Sequence, residues 1–236
     1  MNVVIGTAGW SVAREAADRF PAEGSALERY AAVFRGAEIN SSFHRSHRLS
    51  TWERWRDSVP AGFRFSVKIP KAISHGARLV GCGDLLAAFL DEAAKLGDKL
   101  AVLLLQLPPS FAFEASLVED FLADLAGRSE AKLACEPRHP SWFEGEADAL
   151  LARLHTARVA ADPAIVPAAA EPGGWRGLAY WRLHGSPVKY RSSYEDERLD
   201  RYAEAIRRVE GEAWCIFDNT ASSAATGNAL ALADRL

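Results

Sequence analysis

The sequence predicts a closed (β/α)8 barrel, a parallel sheet of eight strands with helices outside, built as one domain over residues 1–236. Three observations carry that prediction. Eight short β-like runs alternate with helical stretches, several strands keep their polar residues on one parity, and barrels of this kind need about 250 residues. The runs are 3–6, 37–40, 63–69, 100–107, 132–138, 158–162, 178–184 and 213–218. Helical patterns cover 26–34, 84–96, 116–126, 146–154, 196–209 and 221–236, and Leu117, Phe121, Leu122 and Leu125 share one face. Such alternation argues for parallel strands covered by helices, and eight strands suffice to close a barrel.

Parity separates the closed barrel from an open doubly wound sheet. Side chains on a strand alternate between two faces. In the third run Phe63, Phe65, Val67 and Ile69 oppose Arg64, Ser66 and Lys68. In the second, Ala37 and Ile39 oppose Glu38 and Asn40; in the fifth, Leu133 and Cys135 oppose Ala134, Glu136 and Arg138; in the seventh, Trp181 and Leu183 oppose Tyr180, Arg182 and His184. An open sheet meets helices on both faces and would read apolar on both. One polar parity fits a lumen with a polar mouth.

Composition narrows the function classes. Hydrophobic residues are 49% and charged residues 25% of the chain, with a formal net charge of −3, so no overall basic face is expected to coat duplex DNA. Cys82, Cys135 and Cys215 lie far apart, unsuited to a disulfide framework or a zinc site. The start M-N-V-V-I-G enters a strand pattern without a signal-peptide pattern, and the longest apolar run, at 100–105, is too short to span a bilayer. The expected location is the cytoplasm, with no membrane and no evident protein partner.

In such barrels functional groups sit at the carboxyl ends of the strands. Those positions hold the acids Glu38, Glu136, Asp162 and Asp218, the amides Asn40 and Asn219, the cations Arg45, Lys68, Arg138 and Arg182, and His75, His139 and His184. Arginine pairs with the oxygens of phosphate or carboxylate through two parallel bonds, so the cations predict an anionic ligand, a small molecule or a nucleic acid. Buried acids equally predict ion pairs with neighbouring cations. No cofactor is expected. A divalent metal is the lesser alternative, because Lys68, Arg138 and Arg182 would crowd it. Lys189, Tyr190, Arg191 and Tyr194 read as a solvated loop that could hold a nucleotide or a single strand.

The motifs G-T-A-G-W at 6–10, E-I-N-S-S-F-H-R at 38–45, Q-L-P-P at 106–109, E-P-R-H-P-S-W at 136–142, R-L-H-G at 182–185 and F-D-N-T at 217–220, with the later G-N-A-L, resemble the YecE-like family, domain-of-unknown-function family seventy-two. The resemblance covers nearly the whole chain in order and implies a TIM-type barrel; it implies no reaction. His44 and Ser42 depart from the family's Tyr and Thr, and the segment between Trp10 and Pro21 is abbreviated.

Two functional readings follow. In the first, a hydrolase- or lyase-like enzyme acts on a phosphate-bearing substrate such as a nucleic acid or sugar phosphate. Glu136 or Asp162 is its general base and His184 its acid, while Glu38, Asn40, Arg45, Lys68, Arg138, Arg182, Asp218 and Asn219 bind substrate. In the second, the same pocket binds a nucleotide, nucleic-acid end or metabolite without chemistry. A metal-dependent phosphodiesterase or isomerase is a further alternative. Carboxylates all tied to arginines would favour binding alone.

Overall fold

The computed structural model describes residues 2–236. Along it the chain runs β1 (Asn2–Thr7), α1 (Ala26–Ala31), β2 (Gly36–Ile39), α2 (Leu49–Asp57), β3 (Arg64–Lys68), α3 (Gly83–Ala93), β4 (Leu100–Gln106), α4 (Ala115–Arg128), β5 (Lys132–Glu136), α5 (Gly145–Arg153), β6 (Thr156–Arg158), β7 (Ala160–Asp162), β8 (Gly173–Gly174), β9 (Leu178–Leu183), α6 (Asp196–Arg207), β10 (Glu212–Phe217) and α7 (Ala224–Ala233). Local chemistry explains several of these. Ser25 and Glu28 form a reciprocal capping box that starts α1. On α4 the buried Val118, Phe121, Leu122 and Leu125 repeat at helical spacing. Among the described residues no helix is long and apolar enough to cross a membrane.

The fold is mixed α/β with parallel strands, arranged as two sheets. One has the order β1-β10-β9-β7 and the other β2-β3-β4-β5-β6-β8. Only the two-residue β8 pairs antiparallel, against β6. The single continuous sheet expected from the sequence is therefore interrupted, at two seams. At one, Val159 alone separates β6 from β7, and its N–H donates to Cys135 O at 2.8 Å. At the other, β1 meets β2 through one bridge, Ala8 with Glu38, and Gly9 N–H donates to Glu38 O at 2.8 Å.

Tyr30 explains the second seam. Its buried hydroxyl accepts the Thr7 N–H at 2.8 Å and donates to Gly36 O at 3.3 Å, replacing part of the ladder between the two strands. The backbones close in around it. A Cβ on Gly6 would lie 2.2 Å from Gly36 O, so a side chain there would push the strands apart.

The parity pattern holds. Val4, Val102, Leu104, Ala134, Tyr180, Trp214 and Ile216 form one apolar cluster, and a larger one contains Ala37, Ile39, Phe65, Val67, Leu133, Cys135, Trp181 and Leu183 with the helices. Helical alternation is less regular than expected. Between β7 and β9 stand only a short 3-10 turn, Pro167–Ala170, and β8, where Pro and Gly leave no run for an α-helix. The helix α2, in turn, has no counterpart among the predicted helical stretches. Trp52 is its only fully buried residue, and its apolar residues are just Leu49, Trp52 and Trp55 among polar and charged ones.

Candidate functional site at the carboxyl ends of the strands

Arg182, on β9 and fully buried, organises the polar end of the strands. Its Nε and Nη2 donate to the two oxygens of Glu38 at 2.9 and 2.7 Å, Nη1 donates to Glu136 at 2.5 Å, and Nη2 reaches Asp218 at 3.0 Å. Glu38 also accepts from the Tyr180 hydroxyl at 3.2 Å, which lies 2.9 Å from Ser66 Oγ. Arg182 and Tyr180 lie on β9 in one sheet and Glu38, Ser66 and Glu136 on β2, β3 and β5 in the other, so these contacts join the two sheets; only Asp218 follows a strand paired with β9. Burial raises the Tyr180 hydroxyl's pKa well above its ordinary value, and the negative Glu38 adds to it, so the ring is a hydrogen-bond donor at neutral pH.

Glu136 is committed on both oxygens. One accepts from Arg182; the other accepts from Arg138 Nη2 at 3.0 Å and meets His184 Nε2 at 2.9 Å. Burial opposes its charge, but Arg182, then His184 and Arg138, hold this carboxyl well below the usual range. His184 meets Asp218 with its other nitrogen, Nδ1, at 3.0 Å. Asp218 uses only Oδ2 in these contacts; its Oδ1 accepts no hydrogen bond from the described residues.

Lys68, at the end of β3, differs from its neighbours. It is 5% exposed, yet its Nζ makes no hydrogen bond or ion pair with the described residues and sits 4.0 Å above the Phe43 ring. Burial, then the positive Arg182, lowers its pKa from 10.5 to about 8, against the pull of Glu38, Glu136 and Asp218. Lys189, in the loop after β9, is likewise lowered by burial and by Arg138. That loop is pinned down. Asn219 donates to Ser192 O and to Asn228 Oδ1, both at 2.9 Å, and Asn228 also binds the backbone of Tyr194, whose hydroxyl accepts the Gly185 N–H at 2.8 Å. Tyr190 stands over the cluster, its ring edge-on to His184 with centroids 5.6 Å apart, at a φ of 66° that side chains rarely adopt.

Beside the cluster lies a cavity of about 720 Å³ between the loops after β2 and β3 and helix α3, with Phe43, Ile73 and Phe89 among its apolar walls and Arg45, Lys71 and His75 among its polar ones. Its β3-side wall is a single π-turn, Ala72–Gly76, followed by Arg78 and Leu79 at φ values of 52° and 67°. Two successive left-handed non-glycine residues are costly, and such strain gathers at functional loops.

A profile described as "Protein of unknown function DUF72" matches residues 4–236. The chain belongs to the DUF72 family. Its curated relatives include the UPF0759 protein YecE of Escherichia coli K12, 36% identical over 134 residues, which are 56% of this chain and 48% of YecE. The chain thus spans about half the length of the curated relatives it matches. Among crystal structures, a DUF72 family protein from Enterococcus faecalis V583 aligns over 99% of this chain and 95% of its own at a TM-score of 0.82 and 20% identity. One from Thermotoga maritima MSB8 gives 0.79 at 25% identity, covering 99% and 98%. A D-allulose 3-epimerase from Methylomonas sp. aligns at 0.55 and 14% identity over 100% and 98%, a likeness of fold alone.

The DUF72 motifs now have physical roles. Of the predicted site residues, Glu38, Lys68, Glu136, Arg138, Arg182, His184 and Asp218 converge. Asn40 stands at the same end with a buried Oδ1 that has no partner. Three do not join. Asp162, expected as a base, faces outwards, where Arg198 donates to it at 2.6 Å and the Tyr202 hydroxyl at 3.0 Å. It shares parity with Arg158 and Ala160, the outer face of the strand. Arg45 lies exposed on the neighbouring cavity, and Asn219 holds a loop. The expected acid, His184, is fully buried with both nitrogens engaged, so it orders Glu136 and Asp218 instead of facing a ligand. The other histidines stay apart: His139 accepts from Ser141 in a turn, and His75 pairs with Ser74. Among the described residues no three His, Cys, Asp or Glu are arranged to hold a metal ion, and Arg182 fills the position between three carboxylates. Tyr180 and Ser66 fall on the polar parity but are not among the predicted site residues, and the same parity would have placed them there. Lys189 reads in the sequence as part of a solvated loop that could hold a nucleotide or a single strand, and only the folded loop brings it to the cluster.

Proposed function

We propose that the two sheets work as one eight-stranded barrel whose mouth binds an anionic ligand bearing a phosphate or carboxylate, presented to Arg138, Lys189 and Lys68. The observation that carries this reading is the charge left over at the mouth. Glu38, Glu136 and Asp218 bring three negative charges, Arg182 and Arg138 pair with them, and Lys189 and Lys68 raise the basic side chains to four, one more than the acids before His184 is counted. Burying cations without equal anions is unfavourable until an anion arrives. Arg182 itself, engaged by three carboxylates and sealed from solvent, organises the site without touching the ligand.

Acid–base chemistry at Glu136 gets no support from its geometry, since both oxygens accept from cations. Asp218 Oδ1 is the carboxylate oxygen left to meet a ligand, and it favours a second reading, in which a hydrolase- or lyase-like step uses Asp218 as the base. Thermal unfolding with inorganic phosphate tests the binding reading. At about a hundred times Kd, phosphate is expected to stabilise the protein by about 2.7 kcal/mol. Arg138→Met and Lys189→Met should each remove most of that gain. An unchanged melting temperature across phosphate, pyrophosphate and citrate would refute the reading.

A further inference from the structure

Lys68 contrasts with Lys99 and Lys132, a buried and a half-buried lysine whose ammonium groups are partnered. The half-buried Lys189 is, like Lys68, without such a contact among the described residues. Lys99 donates to the carbonyls of Arg56 and Val59, both at 2.6 Å, and Lys132 pairs with Glu212 at 2.6 Å. A buried ammonium normally secures such partners, because its three donors are costly to leave unmet. Lys68 has none among the described residues, and Phe43 offers it only the face of a ring. Phe43 holds the cationic form weakly. The uncommitted Asp218 Oδ1 belongs to the same cluster, in which Asp218 and Lys68 pull on each other's charge.

We propose that Lys68 is a nucleophilic amine that forms an imine with the carbonyl carbon of an anionic aldehyde or ketone, held through its anionic group by Arg138 and Lys189. The inference rests on the anion-binding reading and names a substrate class for it. In the step, the neutral Nζ uses its lone pair to form a bond to the carbonyl carbon, and the C=O π electrons move to oxygen. Nζ then loses both hydrogens, and they leave with the carbonyl oxygen as water, giving C=N with no oxidant or reductant consumed. Asp218 Oδ1 carries the proton between nitrogen and departing oxygen. The pKa near 8 supports the step, since about a tenth of a lysine so placed is the free amine at pH 7 and about half at pH 8, far more than for an ordinary lysine. The cavity that Phe43 also lines gives the carbon skeleton room.

The test uses the full chain with glyoxylate, an aldehyde bearing a carboxylate, and sodium cyanoborohydride, which reduces an imine to a stable secondary amine. Peptide mapping then locates the carboxymethyl group among the six lysines, and propionaldehyde serves as the neutral comparison. Glyoxylate should modify Lys68 on the order of ten times faster than the exposed Lys71, with propionaldehyde showing no such preference and inorganic phosphate slowing the reaction. Preferential labelling of Lys68 by both aldehydes, unaffected by phosphate, would keep the amine chemistry and overturn the anion-binding reading. If Lys68 stays unlabelled while phosphate still raises the melting temperature, the imine is overturned and anion binding stands. Lys68→Arg, which keeps the charge, should lose the labelled peptide and retain the others.

Discussion

The two ends of the strands carry similar residues to opposite effect. At the amino end, Glu212 takes Lys132 at 2.6 Å, Trp214 Nε1 at 2.5 Å and Asn2 Nδ2 at 3.2 Å. One acid meets one cation, and the remaining lone pairs find neutral donors. At the carboxyl end, three acids are locked by Arg182 and His184, and three further basic side chains stand around them. Closed polar networks of the first kind stabilise a fold. The second kind is also closed at its centre but leaves a rim of cations with too little negative charge beside them. Parallel strands put all their carboxyl ends on one side, so charged side chains at those ends gather there from several strands.

The largest test of this contrast is Arg182→Met. It leaves Glu38, Glu136 and Asp218 buried without their shared cation, and the expected loss is about 3–5 kcal/mol in denaturant unfolding. A loss below about 1 kcal/mol would mean the mouth network is not what holds the acids.

Lys68→Met sharpens it through pH. The folded pKa near 8 lies below the unfolded value of 10.5, so the buried charge disfavours folding wherever both states are protonated. The wild type should therefore be less stable than the variant by about 3 kcal/mol below pH 8, and the gap should close as pH rises through 10.5. Paired unfolding curves at several pH values check it; a gap that widens with pH would contradict the sign.

The smallest effect belongs to the amino end. Lys132→Met removes a half-buried pair and should cost about 1 kcal/mol, with the response to inorganic phosphate unchanged. A lost phosphate response would place anion binding at the wrong end of the barrel.

Much of the site was legible in the sequence because a strand has a period of two. Glu38, Lys68, Glu136 and Arg182 fall on the polar parity at strand ends, so they share one face and one end of the strands, although the contact of Arg182 with Glu38 and Glu136 joins two different sheets. Asp162 shows where that reasoning thins. The run A-R-V-A-A-D has small residues on both faces, so its parity was hard to read, and only the contact with Arg198 and Tyr202 assigns it to the outside. Asn219 and Asn228 illustrate another gap, since two amides nine residues apart gave no sign that they tie down the loop of Tyr194.

By itself the sequence determined the α/β class, the strand positions, the two faces of most strands and the gathering of acids and cations at one end, because those depend on local periodicity and residue type. Tertiary structure decided the rest: the seams at Tyr30 and Val159, which acids Arg182 claims, and that Lys68 is left without a partner. Partnership depends on which side chains arrive together from distant segments, and no local pattern encodes that arrival.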